Sequence, residues 1–256
     1  MTNLELRALC GRVDLPECTA EMGWPPAIAA GLIAQHSCRL VVAGSSFKLV
    51  GNTPAAREEF LKYCSWADSW QAPYVRVFGG GTWGQELRAE DYVQAADTVR
   101  WWRAERAARG WKTEMLLETH DAFSGSAPCV ELNRRLERPV NVIWDSHHTW
   151  RLGGESPAES WASLSAWVRH VHVKDSVDKP SARHPFTYVL PGNGQMPVAE
   201  VVGLLREQNF TGAVSLEWEK LWHPYLPPLP EAITQLQAQP WYAAAAKGQC
   251  QTSVTR

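Results

Sequence analysis

The sequence predicts a parallel α/β fold, either a closed (β/α) barrel or an open doubly wound sheet, on three observations. Short apolar, β-branched runs recur without strict polar alternation, the pattern of strands covered on both faces. Stretches with helix signals separate those runs along the 256 residues, and that alternation builds parallel sheets. No GxGxxG follows an early run, so a dinucleotide-binding sheet loses ground.

The first run is NLELRAL, from Asn3, and the second is CRLVVAGSSF, ending at Phe47. A helix follows in TPAAREEFLKYCSWADSW, with Thr53 as N-cap and Pro54 at the first helical position, where a missing N–H costs nothing. PYVRVFGGG is the third strand. Its glycine-rich continuation, Phe78 to Gly84, lacks the Lys-Ser/Thr of a phosphate-binding loop and reads as a flexible loop or a ligand-contacting one. EDYVQAADTVRWWRAERAARG is rich in helix formers and closes on Gly110, a residue suited to the left-handed position after a helix.

EMLLETHD and VNVIWDSHH supply the fourth and fifth strands. The helix in SPAESWASLSAWVRH opens with Ser156 and Glu159 in capping-box spacing around Pro157. VRHVHVKDS is the sixth strand, followed by a long proline-containing loop from Val177 to Pro191. PVAEVVGLLREQNF is an amphipathic helix, GAVSLEWEK the seventh strand, and PEAITQLQAQPWYAAAA a final helix.

Composition narrows the partners. The 25 Lys+Arg against 27 Asp+Glu are dispersed, so no nucleic-acid or membrane footprint stands out and a small molecule is favoured. Six cysteines at 10, 18, 38, 64, 129 and 250 show no CxxC pair, which fits reduced thiols in a cytoplasmic protein. The N-terminal residues lack a basic-then-apolar signal pattern, and no apolar segment approaches the ~20 residues of a membrane span. Most of the 14 tryptophans are expected in the core, with tryptophan along a sugar-sized pocket as the minority reading.

Position carries the functional signal. Glu118, Asp145, His172 and Glu217 each sit at or near the C-terminal end of an expected strand, and in a parallel barrel those ends converge on one face. Glu118 to Asp145 and Asp145 to His172 are both 27 positions, one strand-helix repeat each. Glu217 comes 45 positions further on, a repeat plus the long loop. Three carboxylates and an imidazole brought together would repel one another and bury badly. One divalent ion, Mn²⁺, Mg²⁺, Co²⁺, Fe²⁺ or Zn²⁺, removes both problems, and the absence of thiolates argues against a structural zinc.

The motifs LLETHD, WDSHH, HVHVKD, PGNGQMP and GAVSLEWE resemble those of the xylose isomerase-like TIM-barrel superfamily, the sugar phosphate isomerase/epimerase group that also includes inosose dehydratase and, more distantly, endonuclease IV. The resemblance covers nearly the whole chain and implies a single TIM-barrel domain over residues 1–256. It makes Glu118, Asp145, His172 and Glu217 the metal ligands, and Glu118 and Glu217 the acid/base pair that moves a proton next to a carbonyl. The Asp-x-x-His spacing matches His148 to the histidine that approaches substrate, leaving His147 as its neighbour.

Lys174 and Arg76 are further substrate-binding candidates, with a structural ion pair the commoner fate of such an arginine; Asp175 contacts substrate or anchors its loop. Arg7 is weighed like Arg76, and Arg183 and His184 lie in the long loop where the family places substrate groups. His120 and Glu219, two positions beyond proposed ligands, share their strand face and are candidates to orient them. The early strands lack the extra histidines of a three-zinc nuclease, which disfavours DNA repair.

In the family an opening strand and helix precede the segment resembling NLELR, so the expected barrel has seven strands and lacks the first unit. An uncovered gap would expose edges and core, and a homo-oligomer would be one way to cover it. The leading expectation is a metal-dependent isomerase or epimerase acting on a sugar, sugar acid or cyclitol. A dehydratase or lyase of the same superfamily, or a non-catalytic sugar-binding descendant, is the alternative.

Overall fold

The computed structural model describes residues 3–242. Seven strands form one parallel sheet in the order β1 (Asn3–Leu6), β2 (Arg39–Lys48), β3 (Tyr74–Phe78), β4 (Glu114–Glu118), β5 (Asn141–Asp145), β6 (Val168–Val173) and β9 (Ala213–Leu216). Each strand pairs with the next, and the sheet curls until β1 and β9 approach each other without a ladder between them among the described residues. This is a nearly closed TIM barrel of seven strands, and of the two architectures open at the outset the barrel is the one adopted.

The helices are α1 (Leu15–Glu21), α2 (Pro26–Gln35), α3 (Pro54–Ser69), α4 (Ala89–Arg109), α5 (Ser126–Arg134), α6 (Ser146–Arg151), α7 (Pro157–Leu164), α8 (Val198–Glu207) and α9 (Leu229–Gln237). The caps are those read from the sequence. Thr53 Oγ1 accepts from the Ala56 N–H, Gly110 closes α4 at φ +68°, and Ser156 with Glu159 forms a complete capping box.

Several elements went unread. α2 is apolar nearly all round, so no stripe announced it, and α1, α5 and α6 are shorter than a reliable periodicity window. The expected loop from Val177 to Pro191 instead carries an antiparallel hairpin, β7 (Asp175–Val177) with β8 (Thr187–Val189). The expected final helix is present as α9, a further helical stretch begins at Pro240 among the described residues, and the alanines at 243–246 lie outside them.

Strand alternation divides the core. Met115, Leu117, Trp144, Val171 and Val173 pack outward in one cluster with Val99 and Trp102 of α4 and Trp161 and Leu164 of α7. Val42, Leu116 and Ile143 form a separate small cluster with Tyr74 and Ala213, an apolar plug in the barrel. Glu118 and Asp145 lie two residues beyond Leu116 and Ile143, hence on the same inward face one layer nearer the strand ends. The edge next to the seam is less covered: Val214 on β9 is 44 % exposed, whereas Val142 and Val171 on inner strands are 0 % exposed.

Candidate metal centre

Register sets the cluster. Asp145 pairs with His172 across β5 and β6, Phe78 pairs with Glu118 across β3 and β4, and the Glu217 N–H donates to the Val173 carbonyl at 3.1 Å, one step past β9. Glu118, Asp145, His172 and Glu217 then offer ligand atoms all within 4.8 Å of one another. His172 Nδ1 lies 3.4 Å from Glu118 Oε1, 3.6 Å from Glu217 Oε2 and 3.9 Å from Asp145 Oδ2.

Three of these atoms share a property. Glu118 Oε1, Asp145 Oδ2 and His172 Nδ1 are buried and make no hydrogen bond, although Lys174 Nζ stands at ion-pair distance, 2.9 Å, from Asp145 Oδ2. An orphaned buried polar atom is costly, and three converging on one point fit a cation. The donor set, carboxylate oxygens plus one imidazole nitrogen, suits the divalent ions expected.

Other contacts fix the members in place. Asp145 caps α6, its Oδ1 accepting from the His148 N–H at 2.9 Å. The Thr119 hydroxyl accepts from the Asp145 N–H at 2.9 Å, and the Ser146 hydroxyl donates to the His172 carbonyl at 2.8 Å. His148 Nδ1 faces the Thr119 carbonyl at 2.9 Å and Nε2 faces Lys174 Nζ at 3.1 Å. A carbonyl accepts and an ammonium donates, so these partners select the neutral ring with its proton on Nδ1. Burial, then Lys174 and His120, hold the His148 pKa well below its ordinary value, in agreement.

Cations already stand beside the carboxylates. Arg76, buried on β3, donates to Glu118 Oε2 at 2.8 Å and to the Ser45 carbonyl at 3.0 Å. Of the two fates weighed for Arg76, the guanidinium makes the structural ion pair, because Glu118 is itself fully buried and requires a cation beside it. Lys174 Nζ lies 2.9 Å from Asp145 Oδ2, 2.5 Å from Glu217 Oε2 and 2.8 Å from Glu219 Oε1.

The charge balance is uneven. Burial opposes ionisation of Glu118 and Glu217, but Arg76 with His172 outweighs it at the first, and Lys174 with His172 at the second, so both stay below the ordinary carboxylate range. Asp145 is pushed up to about 7 by burial, with Lys174 opposing and both glutamates reinforcing. For His172, burial works against charge, yet Glu5, Glu217 and Glu118 push its pKa well above the ordinary value; a cation at Nδ1 competes with that proton.

The remaining candidates separate. Glu219 reaches Lys174, not a proposed ligand. His120 bonds Asp121 at 2.9 Å and packs its ring against Phe78 and His148. His147 Nε2 pairs with the Ser176 hydroxyl at 2.8 Å, its ring set among Phe186, Tyr188 and Trp150. Asp175 is the loop anchor, accepting from the backbone N–H groups of Ser176, Gly192, Gly194 and Met196 at 2.9 to 3.0 Å. Arg183 is exposed in the turn of the hairpin, where it donates to the Trp222 carbonyl at 3.4 Å, and is not brought into the cluster. Arg7 bonds Ser46 Oγ at 2.8 Å and lies over the Trp222 ring.

Glu5 and His170 went unread. Glu5 Oε2 lies 2.7 Å from His172 Nε2 and 2.9 Å from His170 Nε2. A carboxylate between two leucines in NLELR was the signal for the first, and a histidine two positions before His172 for the second.

Residues 29–241 match the family described as the xylose isomerase-like TIM barrel. The chain belongs to that family. Among its relatives, the C-glycoside deglycosidase alpha subunit of Arthrobacter globiformis is 33% identical over 72 residues, covering 28% of this chain and 17% of that protein. The chain thus matches well under two thirds of that relative's length. A solved D-tagatose 3-epimerase-like protein superposes at TM-score 0.69 with 15% identity, over 98% of this chain and 91% of the other. The IOLI protein, solved with a binding zinc atom, gives 0.68 at 17% identity, over 99% and 90%. At such identities the structural likeness establishes the shared fold. Among the described residues, this xylose isomerase-like barrel has no helix long and apolar enough to cross a membrane, and Cys10, Cys18, Cys64 and Cys129 carry free thiols.

Proposed function

We propose that this xylose isomerase-like barrel is a divalent-metal-dependent enzyme that moves a proton on the carbon next to a carbonyl of a sugar, sugar acid or cyclitol. The observation that supports this most is the convergence of the buried Glu118 Oε1, Asp145 Oδ2 and His172 Nδ1, none of which makes a hydrogen bond. These residues and Glu217 would hold one Mn²⁺, Mg²⁺, Co²⁺, Fe²⁺ or Zn²⁺. When bound, such an ion polarises a carbonyl and offsets negative charge growing on substrate oxygens.

The side chains do the rest. Glu118 and Glu217 are kept ionised by Arg76 and Lys174, the state a general base needs. One takes the proton; its return to the neighbouring carbon gives isomerisation, and delivery of a different proton to the opposite face by the other carboxyl group, which takes that proton up from solvent beforehand, gives epimerisation. Lys174 and His148 stand ready to hold a substrate hydroxyl beside Glu217.

The name of the curated relative favours a second outcome at the same site: a carbon that has lost its proton beside a carbonyl can expel a substituent one carbon further on. A dehydratase or deglycosidase step would need no new residues.

Ketoses, sugar acids, cyclitols and carbonyl-bearing C-glycosides would be incubated in D₂O with manganese-loaded protein and followed by proton NMR. The expected result is loss of the proton signal next to the carbonyl, abolished by chelator and by Glu118→Gln or Glu217→Gln. Saturable binding with no exchange anywhere on the panel would favour a non-catalytic sugar-binding protein instead.

A further inference from the structure

We infer that Glu5 is a positioning residue for the metal centre: from the edge strand β1 it fixes His172 in the one tautomer whose Nδ1 can face a cation. The inference rests on the metal reading above and adds to it a residue from the strand across the barrel's seam.

Glu5 and His172 are 167 positions apart, yet Glu5 Oε2 sits 2.7 Å from His172 Nε2. A carboxylate beside a ring nitrogen holds a proton on it, so Nε2 keeps its N–H and Nδ1 is the nitrogen whose proton a cation displaces. Nδ1 is the orphaned atom that faces Glu118, Asp145 and Glu217. Proton position and ligand direction are therefore set by one contact.

Without Glu5 the preference reverses. Nε2 would lose its acceptor, while Nδ1 would still lie 3.4 Å from Glu118 Oε1 and 3.6 Å from Glu217 Oε2. Those carboxylates would draw the proton to Nδ1, where the cation belongs. The cluster that binds metal would then block its own imidazole.

The carboxylate is itself braced. His170 Nε2 lies 2.9 Å from the same Glu5 oxygen and 2.8 Å from the Ser215 hydroxyl. His170 and His172 share the inward face of β6, so two imidazoles grip one oxygen of β1. A side chain serving only to hold the edge strand would need one such contact, and it would not matter to which ring nitrogen it was made.

The test compares the parent protein with Glu5→Leu and the near-isosteric Glu5→Gln. Long-range proton–nitrogen correlation spectra of the histidine rings report the tautomer, and cobalt titration followed by visible absorption reports affinity. Glu5→Leu is expected to move the His172 proton to Nδ1 and weaken cobalt binding by about tenfold to a hundredfold, the usual range for losing a group that orients a ligand. Glu5→Gln, which keeps the shape and an acceptor but loses the charge, is expected near the tenfold end, and it decides the matter if the leucine variant does not fold.

Cobalt affinity within twofold of the parent in folded Glu5→Gln, or a His172 proton still at Nε2 in folded Glu5→Leu, would overturn the assignment while the metal reading stood. A parent protein that takes up no cobalt would remove the metal reading, and the role of Glu5 with it.

Discussion

Lys174 Nζ lies 2.9 Å from Asp145 Oδ2, and both side chains are almost fully buried. The lysine cation therefore shares the oxygens that would bind metal, while also holding Glu219 and His148. Lys174→Met is expected to retain metal at least as tightly, because a neighbouring positive charge is gone, yet to lose about 100-fold or more of the D₂O exchange rate, as when one preorganised donor is deleted. Metal content and exchange would be measured on the same sample, and unchanged exchange would remove Lys174 from the substrate site.

Asp145 makes metal binding depend on pH. Its pKa is pushed up to about 7, first by burial, from an ordinary value of 3.8. A carboxylate with a raised folded-state pKa holds its proton longer in the folded chain than in the unfolded one. Its contribution to stability is thus present at low pH and lost as pH rises toward about 7. Metal binding runs the other way, since a ligand must shed its proton. Cobalt affinity is expected to rise steeply with pH up to about 7, as Asp145 and His172 both give up protons, and to rise more gently above it, by up to about tenfold per unit, while His172 alone still has a proton to lose; a slope that does not change near pH 7 would count against Asp145 as a ligand.

Arg76 and Glu118 form a fully buried pair at 2.8 Å. Removing one partner strands the other, so Arg76→Met is expected to cost about 3–5 kcal/mol in urea unfolding with chelator present. The double variant Arg76→Met/Glu118→Leu is expected to recover most of that while binding no metal. A single variant as stable as the parent would mean that Glu118 finds its charge balance elsewhere.

Asp175 holds the PGNGQMP turn by three of its backbone N–H groups and accepts a fourth from Ser176. Glycine is required at 194 because a Cβ there would meet Asp175 Oδ1 at 2.2 Å. Asp175→Ala is expected to destabilise by on the order of 3 kcal/mol and to release the Gly192, Gly194 and Met196 amides to hydrogen exchange. Protection equal to the parent's would show that the loop stands without the carboxylate.

The sequence by itself determined the repeat. Apolar strand runs, Thr53, the Ser156/Glu159 box and Gly110 are local signals read within a few residues, and the 27-position spacing placed Glu118, Asp145 and His172 at equivalent strand ends, where the barrel brings them together. Tertiary structure decided the partners. Nothing near Glu5 in the chain announces a histidine 167 positions away, and Arg76 reads as a substrate group or an ion-pair member of unnamed partner until Glu118 is seen beside it. Contacts across a barrel interior depend on curvature and register summed over every strand, which local patterns do not encode. The same holds for the β7–β8 hairpin, whose three-residue strands carry too little periodicity to read alone and form because Asp175 gathers the backbone that follows.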